Sequence, residues 1–142
     1  MFREPMLSTD EPSADDVQFL EDQINEHNMV RTGRRDFRPV GVFLRDEGGS
    51  LIAGLYGFTW AGWLEIKLVW VREDQRGQGH GRRMLAAAEA EARERGCRRV
   101  WLDSYTFQAP TFYQHLGYEV FGSLVGYPPP HDRVFLTKTL HA

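Results

Sequence analysis

Hydrophobic and polar residues alternate with two different periodicities along the chain, and these predict its helices and strands. Before residue 39, apolar residues recur with roughly helical spacing from Val17 to Met29, just after Ser13 and the acid three positions beyond it, as in a capping box. After Pro39 the pattern alternates with a period of two, which predicts three strands joined by tight turns, at 40–45, 51–60 and 64–71. One face of the third strand is expected to carry Leu64, Ile66, Leu68 and Trp70.

The second half of the chain contains both helical and period-two patterns. A glycine-rich stretch leads into the Ala-rich segment 82–96, which predicts a helix of about four turns that ends at Gly96. A short strand at 99–104 and a short helix from Pro110 follow, and two closing strands are expected at 118–124 and 133–140. Hairpins followed by a strand–helix–strand unit predict an α/β fold of the α+β type, with a mixed sheet and helices packed on it.

Length, composition and charge exclude several classes of protein to which the chain could belong. The chain has 142 residues, 42% apolar and 26% charged, so we expect a single domain over residues 1–142. A net charge of −3 argues against a general attraction to nucleic acid or to an anionic membrane. The single cysteine excludes an intrachain disulfide, and the five histidines show no metal-ligand spacing, so no metal is expected. With no signal peptide and no apolar span, the expected location is the cytoplasm.

The stretch 69–85, VWVREDQRGQGHGRRML, carries the clearest chemical signal. Its glycines stand between a strand and the long helix, where clustered backbone amides and the helix dipole favour an anion such as a phosphate. Arginines on both sides add positive charge. The alternative is that the glycines only form a tight turn and the arginines are solvated. Neither the P-loop nor the Rossmann spacing is present.

Two segments resemble a known family. Residues 76–81, RGQGHG, match the [Q/R]-x-x-G-x-[G/A] signature of the GNAT superfamily of N-acetyltransferases, and residues 107–122, FQAPTFYQHLGYEVFG, are similar to its later block N-x-x-A-x-x-F-Y-x-x-x-G-F. The resemblance covers roughly residues 40 to 140 and implies a mostly antiparallel sheet of six to seven strands. Gln108 stands where many members have Asn, and the N-terminal part is short for the family's first strand and paired helices.

The resemblance implies that the chain transfers the acetyl group of acetyl-CoA to a primary amine of a small molecule, by direct attack in a ternary complex. Two alternatives stay open. One is a protein N-acetyltransferase that acts on a terminal amine or a lysine, and the other is a non-catalytic module that senses acyl-CoA. A homodimer is also left open.

Site residues follow from the same resemblance. Tyr113 is expected to protonate the leaving thiolate, and Glu65 to act as the base. Two alternatives for Glu65 stay open: a water chain takes the proton instead, or Glu65 is simply a surface acid paired with Lys67. The backbone of 69–71 is expected to pair with the pantetheine arm as a strand would. The residues expected to hold the cofactor are Val69, Trp70, Val71, Arg76, Gly77, Gln78, Gly79, His80, Gly81, Arg82, Gln108 and Phe112.

Overall fold

The computed structural model describes residues 3–141 in two compact units, one ending at Arg35 and one beginning at Asp36. The first unit contains one helix, α1 (Ala14–Thr32). The Ser13 side chain caps this helix by accepting a 3.1 Å hydrogen bond from the Asp16 amide, which confirms the predicted capping. Gly33 ends it in the left-handed region, with a φ of 69°.

The second unit is a six-stranded sheet with two helices. Its elements are β1 (Arg38–Arg45), β2 (Leu51–Trp60), β3 (Trp63–Val71), α2 (His80–Glu94), β4 (Arg99–Tyr105), α3 (Pro110–His115), β5 (Glu119–Leu124) and β6 (Arg133–Thr139). The strand order is β1-β2-β3-β4-β6-β5, and only the β3–β4 pair is parallel. The predicted α/β fold with a mixed, mostly antiparallel sheet is therefore confirmed.

A bulge in the β2–β3 hairpin changes which β3 side chains share a face. Tyr56 pairs with Leu68 but Gly57 pairs with Ile66, so Lys67 is an extra residue on β3. Gly57 is required here because a Cβ would overlap the Glu65 carbonyl oxygen. The alternation predicted for β3 is therefore wrong beyond Ile66, because the extra residue reverses it.

The side chains of β3 show that reversal directly. Leu64 and Ile66 are buried in the core, as expected, whereas Leu68 is 66% exposed and Trp70 is 49% exposed. Residues Val69 and Val71 pack against the core instead. The core lies between α2 and the sheet, and its largest fully buried aliphatic side chains are Leu55, Leu64, Met84, Leu85, Leu102, Leu136, Leu140 and Val100.

One charged group of α2 is buried in this core. Glu89 is 5% exposed, and its two carboxylate oxygens accept hydrogen bonds from Lys138 Nζ at 2.8 Å and from the Tyr118 hydroxyl at 2.9 Å. The Lys138 ammonium also lies 5.4 Å from the centre of the Tyr118 ring. We refer to Glu89, Lys138 and Tyr118 as the Glu89 cluster. It ties α2 to β6 and to Tyr118, the residue just before β5.

Candidate active site

A cleft opens in the sheet where β3 and β4 part. Their parallel pairing ends at Ile66 and Leu102. Beyond that point β3 continues to Val71 and β4 to Tyr105. One edge of this part of β3 stays paired with β2, while the other has no strand partner within the described chain. The cleft has a volume of about 720 Å³, a size common for small-molecule sites.

The glycine loop closes one end of the cleft. A single 3-10 turn at Glu73–Gln75 follows β3, and Gly79 then serves as the N-cap of α2 with a φ of 83°. Glycine adopts this left-handed conformation without strain. No side chain caps α2, so the amides of its first turn are left for solvent or for a ligand. Gly79, Gly81 and Arg82 line the cleft at this point, which suits an anion.

Positive and polar side chains surround the start of α2. Arg76 and Arg82 line the cleft, and Arg76 Nε donates a 2.9 Å hydrogen bond to the Val71 carbonyl. His80 Nε2 lies 3.2 Å from Gln75 Oε1, while His80 Nδ1 is buried and has no hydrogen-bond partner in residues 3–141. Because buried polar atoms are rarely left unpaired, this nitrogen at the cleft wall points to a ligand.

Helix α3 brings two aromatic residues to the cleft. The Phe112 ring lies 3.1 Å from where a Cβ on Gly81 would stand, so the glycine lets α2 and α3 approach closely. Tyr113 packs edge-on against Phe112 and Tyr118, with ring centres 5.2 and 5.9 Å apart. Burial, and secondarily the charge of Asp103, raise the pKa of Tyr113 to about 12. The phenol therefore keeps its proton at neutral pH and can donate it.

Gln108 lines the cleft between β4 and α3. Its Oε1 accepts hydrogen bonds from the Tyr105 amide at 2.9 Å and from the Ser104 hydroxyl at 3.4 Å. These bonds fix the end of the side chain, and no hydrogen bond within residues 3–141 uses its amide nitrogen. Gln108 can thus donate to a carbonyl in the cleft.

Asp103 is a cleft residue that the sequence analysis missed. It projects from β4, and its Oδ2 accepts a 2.7 Å hydrogen bond from Arg133 Nε on β6. The Arg133 guanidinium in turn lies 5.5 to 5.6 Å from the ring centres of Tyr105, Tyr127 and Phe135. The available signal was an acid in the otherwise uncharged stretch 100–105 of β4.

The structure gathers most of the predicted site residues in one place. All twelve predicted cofactor residues except Gln78 line the cleft, and so does Tyr113. Glu65 does not: its Oε2 lies 3.3 Å from Lys67 Nζ, and its side chain is 19% exposed. Of the two predicted catalytic residues, the cleft therefore contains only Tyr113.

Two further kinds of site are absent from residues 3–141. They contain no group of three or more His, Cys, Asp or Glu side chains that could hold a metal ion. Nor does any helix among them have the length and apolarity needed to cross a membrane.

Comparisons with known proteins define the class of this fold and site. A crystal structure of an acetyltransferase from Agrobacterium tumefaciens superposes with a TM-score of 0.88 at 32% identity, covering 96% of this chain and 99% of that one. An acetyltransferase of Agrobacterium fabrum is 35% identical over 116 residues, which are 82% of this chain and 85% of the relative. The blasticidin-S acetyltransferase of Streptomyces morookaense is 40% identical over 116 residues, with 79% and 85% covered.

The fold and its relatives are thus those of acyltransferase enzymes. Residues 5–118 match the acetyltransferase (GNAT) family. This chain belongs to that family, as its two sequence blocks indicated.

Proposed function

We propose that this protein transfers the acetyl group of acetyl-CoA to a primary amine of a small molecule, by direct attack of the amine in a ternary complex. The observation that carries the proposal is a cleft that brings together unpaired helix amides, cations and a protonated phenol. The name of the Streptomyces morookaense relative, blasticidin-S acetyltransferase, supports a small-molecule acceptor rather than a protein.

The residues that line the cleft fit coenzyme A. The free edge of β3 at 69–71 offers backbone groups to the two amides of the pantetheine arm. The first-turn amides of α2, with Arg76 and Arg82, suit the pyrophosphate. The unpaired His80 Nδ1 and the Gln108 amide nitrogen add hydrogen-bonding groups. Gln78 lies outside the cleft lining and has no assigned role.

Tyr113 supplies the acid in this proposal. When bound, acetyl-CoA brings an activated acetyl group as a thioester. Its sulfur leaves as a thiolate unless it is protonated, and Tyr113 holds its proton at neutral pH because its pKa is raised to about 12. A thiolate is a weaker base than this phenolate, so proton transfer from Tyr113 to the sulfur is unfavourable by itself. It accompanies cleavage of the C–S bond, and a solvent proton then restores the phenol.

Thiol release from acetyl-CoA tests the proposal directly. We expect purified protein to release coenzyme A thiol with at least one member of a panel of small amines: spermidine, lysine, kanamycin and blasticidin S. Peptides that carry only an N-terminal amine or only a lysine form the control set. Activity confined to the peptides would favour a protein acetyltransferase. Calorimetric binding of acetyl-CoA without turnover of any amine would favour a sensor.

A further inference from the structure

Charge is distributed unevenly along the cleft. Arg76 and Arg82 line the cleft at the glycine loop, whereas Lys67 follows Ile66 at the point where β3 and β4 part. Asp103, which follows Leu102 at the same point, is the one carboxylate among the described residues of the lining. Asp103 is also close enough to contribute, after burial, to the raised pKa of Tyr113. The glycine loop is thus suited to an anion, and the carboxylate of Asp103 near Tyr113 is suited to a cation.

Asp103 is held in position by groups of the protein itself. The Arg133 guanidinium binds only its Oδ2, at 2.7 Å, and within residues 3–141 no hydrogen bond uses its Oδ1. Three aromatic rings surround Arg133 at 5.5 to 5.6 Å and hold the guanidinium in turn. The pair is partly buried, with side chains 29% and 22% exposed. One oxygen of a fixed carboxylate is therefore available in the cleft.

We propose that Asp103 binds the acceptor as an ammonium ion through Oδ1 and serves as the base that takes its proton. This inference rests on the proposed acetyl transfer and gives the acceptor a class, an amine that is a cation at neutral pH. Arg133 is the positioning residue, because it fixes the carboxylate without approaching the acceptor itself.

The acceptor loses two protons during the reaction. An alkylammonium ion must lose one proton before its nitrogen lone pair can attack the thioester carbon, and it loses a second once the C–N bond has formed. Asp103 accepts these protons in turn and passes them to solvent. The C–S bond breaks, the sulfur takes the Tyr113 proton, and one solvent proton restores the phenol. The net products are the amide, the thiol of coenzyme A and one proton.

Glu65 is the rival for this role, since family resemblance favours it. Its carboxylate is already paired with Lys67 at 3.3 Å, and it lies outside the cleft lining. Asp103 lines the cleft, whereas Glu65 does not. The two assignments predict opposite results for the same chemical change at the two positions.

The experiment compares Asp103→Asn with Glu65→Gln and with Glu119→Gln, which removes one exposed negative charge from the edge strand β5. Asparagine keeps the shape and an oxygen for Arg133, so the fold should survive; calorimetry with acetyl-CoA checks this by its dissociation constant. Each variant is assayed for thiol release with the most active amine of the panel above and with benzhydrazide, a nucleophile that is uncharged at neutral pH. Asp103→Glu tests recovery by a second carboxylate.

We expect Asp103→Asn to lower kcat/KM for the amine by about 10²-fold or more, the usual loss for a general base, with acetyl-CoA affinity within twofold. Benzhydrazide should lose less than tenfold, because it needs no deprotonation before attack. Equal losses with both nucleophiles would make Asp103 a structural residue and overturn the inference. A loss in Glu65→Gln alone would assign the base to Glu65. Absence of thiol release by the wild type with every amine would overturn the proposed function itself.

Discussion

Replacing Glu89 by alanine should destabilise the folded protein strongly. The change removes the acceptor of two hydrogen bonds, from Lys138 Nζ and from the Tyr118 hydroxyl, in a place where the carboxylate is 5% exposed. Breaking a buried ion pair by removing one partner costs about 3–5 kcal/mol, because the remaining charge stays buried without its partner. The Lys138 side chain is 23% exposed and can recover some hydration, which places the expected cost at the lower end.

We therefore expect Glu89→Ala to reduce the free energy of unfolding by about 3 kcal/mol. For a chain of this length that corresponds to a decrease in Tm of about 9 °C, at roughly 3 °C per kcal/mol. Urea and thermal unfolding can be followed by tryptophan fluorescence, since all four tryptophans lie in the unit that begins at Asp36.

A double variant shows whether the lost stability comes from the broken ion pair or from the cavity that the smaller side chain leaves. Glu89→Leu with Lys138→Met removes both charges and keeps apolar volume, so it should be more stable than Glu89→Leu alone by about 2 kcal/mol. Tyr118→Phe, which removes one hydrogen bond to the carboxylate, should cost about 1–2 kcal/mol. If Glu89→Ala remained within 1 kcal/mol of the wild type, the Glu89 cluster would not stabilise the core and this reasoning would be refuted.

Three further changes have defined outcomes. Tyr113→Phe should lower kcat by about 10²-fold with little change in KM for acetyl-CoA in steady-state assays, because the lost proton matters mainly in the transition state. Since the Tyr113 pKa is raised to about 12, loss of its proton should not reduce wild-type kcat between pH 7 and about pH 10. Gly79→Val should abolish acetyl-CoA binding in calorimetry, because it distorts the left-handed N-cap and places a side chain at the cleft. Gly57→Ala should lower the Tm, because its Cβ would overlap the Glu65 carbonyl oxygen.

Controls exist within the chain for the glycine changes. Gly49 has the same φ of 83° as Gly79, but it lies in the turn between β1 and β2 and does not line the cleft. Gly49→Val should therefore impose similar backbone strain and leave acetyl-CoA affinity unchanged. If both variants lost binding equally, general destabilisation would explain the result. Unchanged kcat in Tyr113→Phe would remove the acid role from this phenol.

Local patterns predicted the elements of this fold well, because each has a local cause. The period-two alternation after Pro39 and the Ala-rich segment before Gly96 fix strands and a helix through their own side chains. The glycine loop could likewise be predicted from the sequence, since the positive φ at Gly77 and Gly79 favours glycine. The cofactor residues were predicted from the family resemblance, and eleven of the twelve line the cleft.

Pairing between strands that are distant in the sequence could not be predicted from these local patterns. Alternation places Glu65 opposite the core-facing Leu64 and Ile66, but it does not show where β3 and β4 stop pairing. That point, at Ile66 and Leu102, places Asp103 beside the cleft and leaves Glu65 in the paired region. The bulge opposite Tyr56 also comes from pairing between strands, and a single strand pattern does not reveal it.

The parting of β3 and β4 also bears on how long the protein survives in a cell. An unpaired strand edge in the middle of a sheet is a place where local opening starts easily. A ligand that pairs with this edge binds only the folded chain, and at a hundred times its Kd it adds about 2.7 kcal/mol to the free energy of unfolding. On the proposed mode of binding, the supply of acetyl-CoA then governs resistance to proteases as well as turnover. Cleavage of the protein by a protease should therefore be slower with saturating acetyl-CoA than without it.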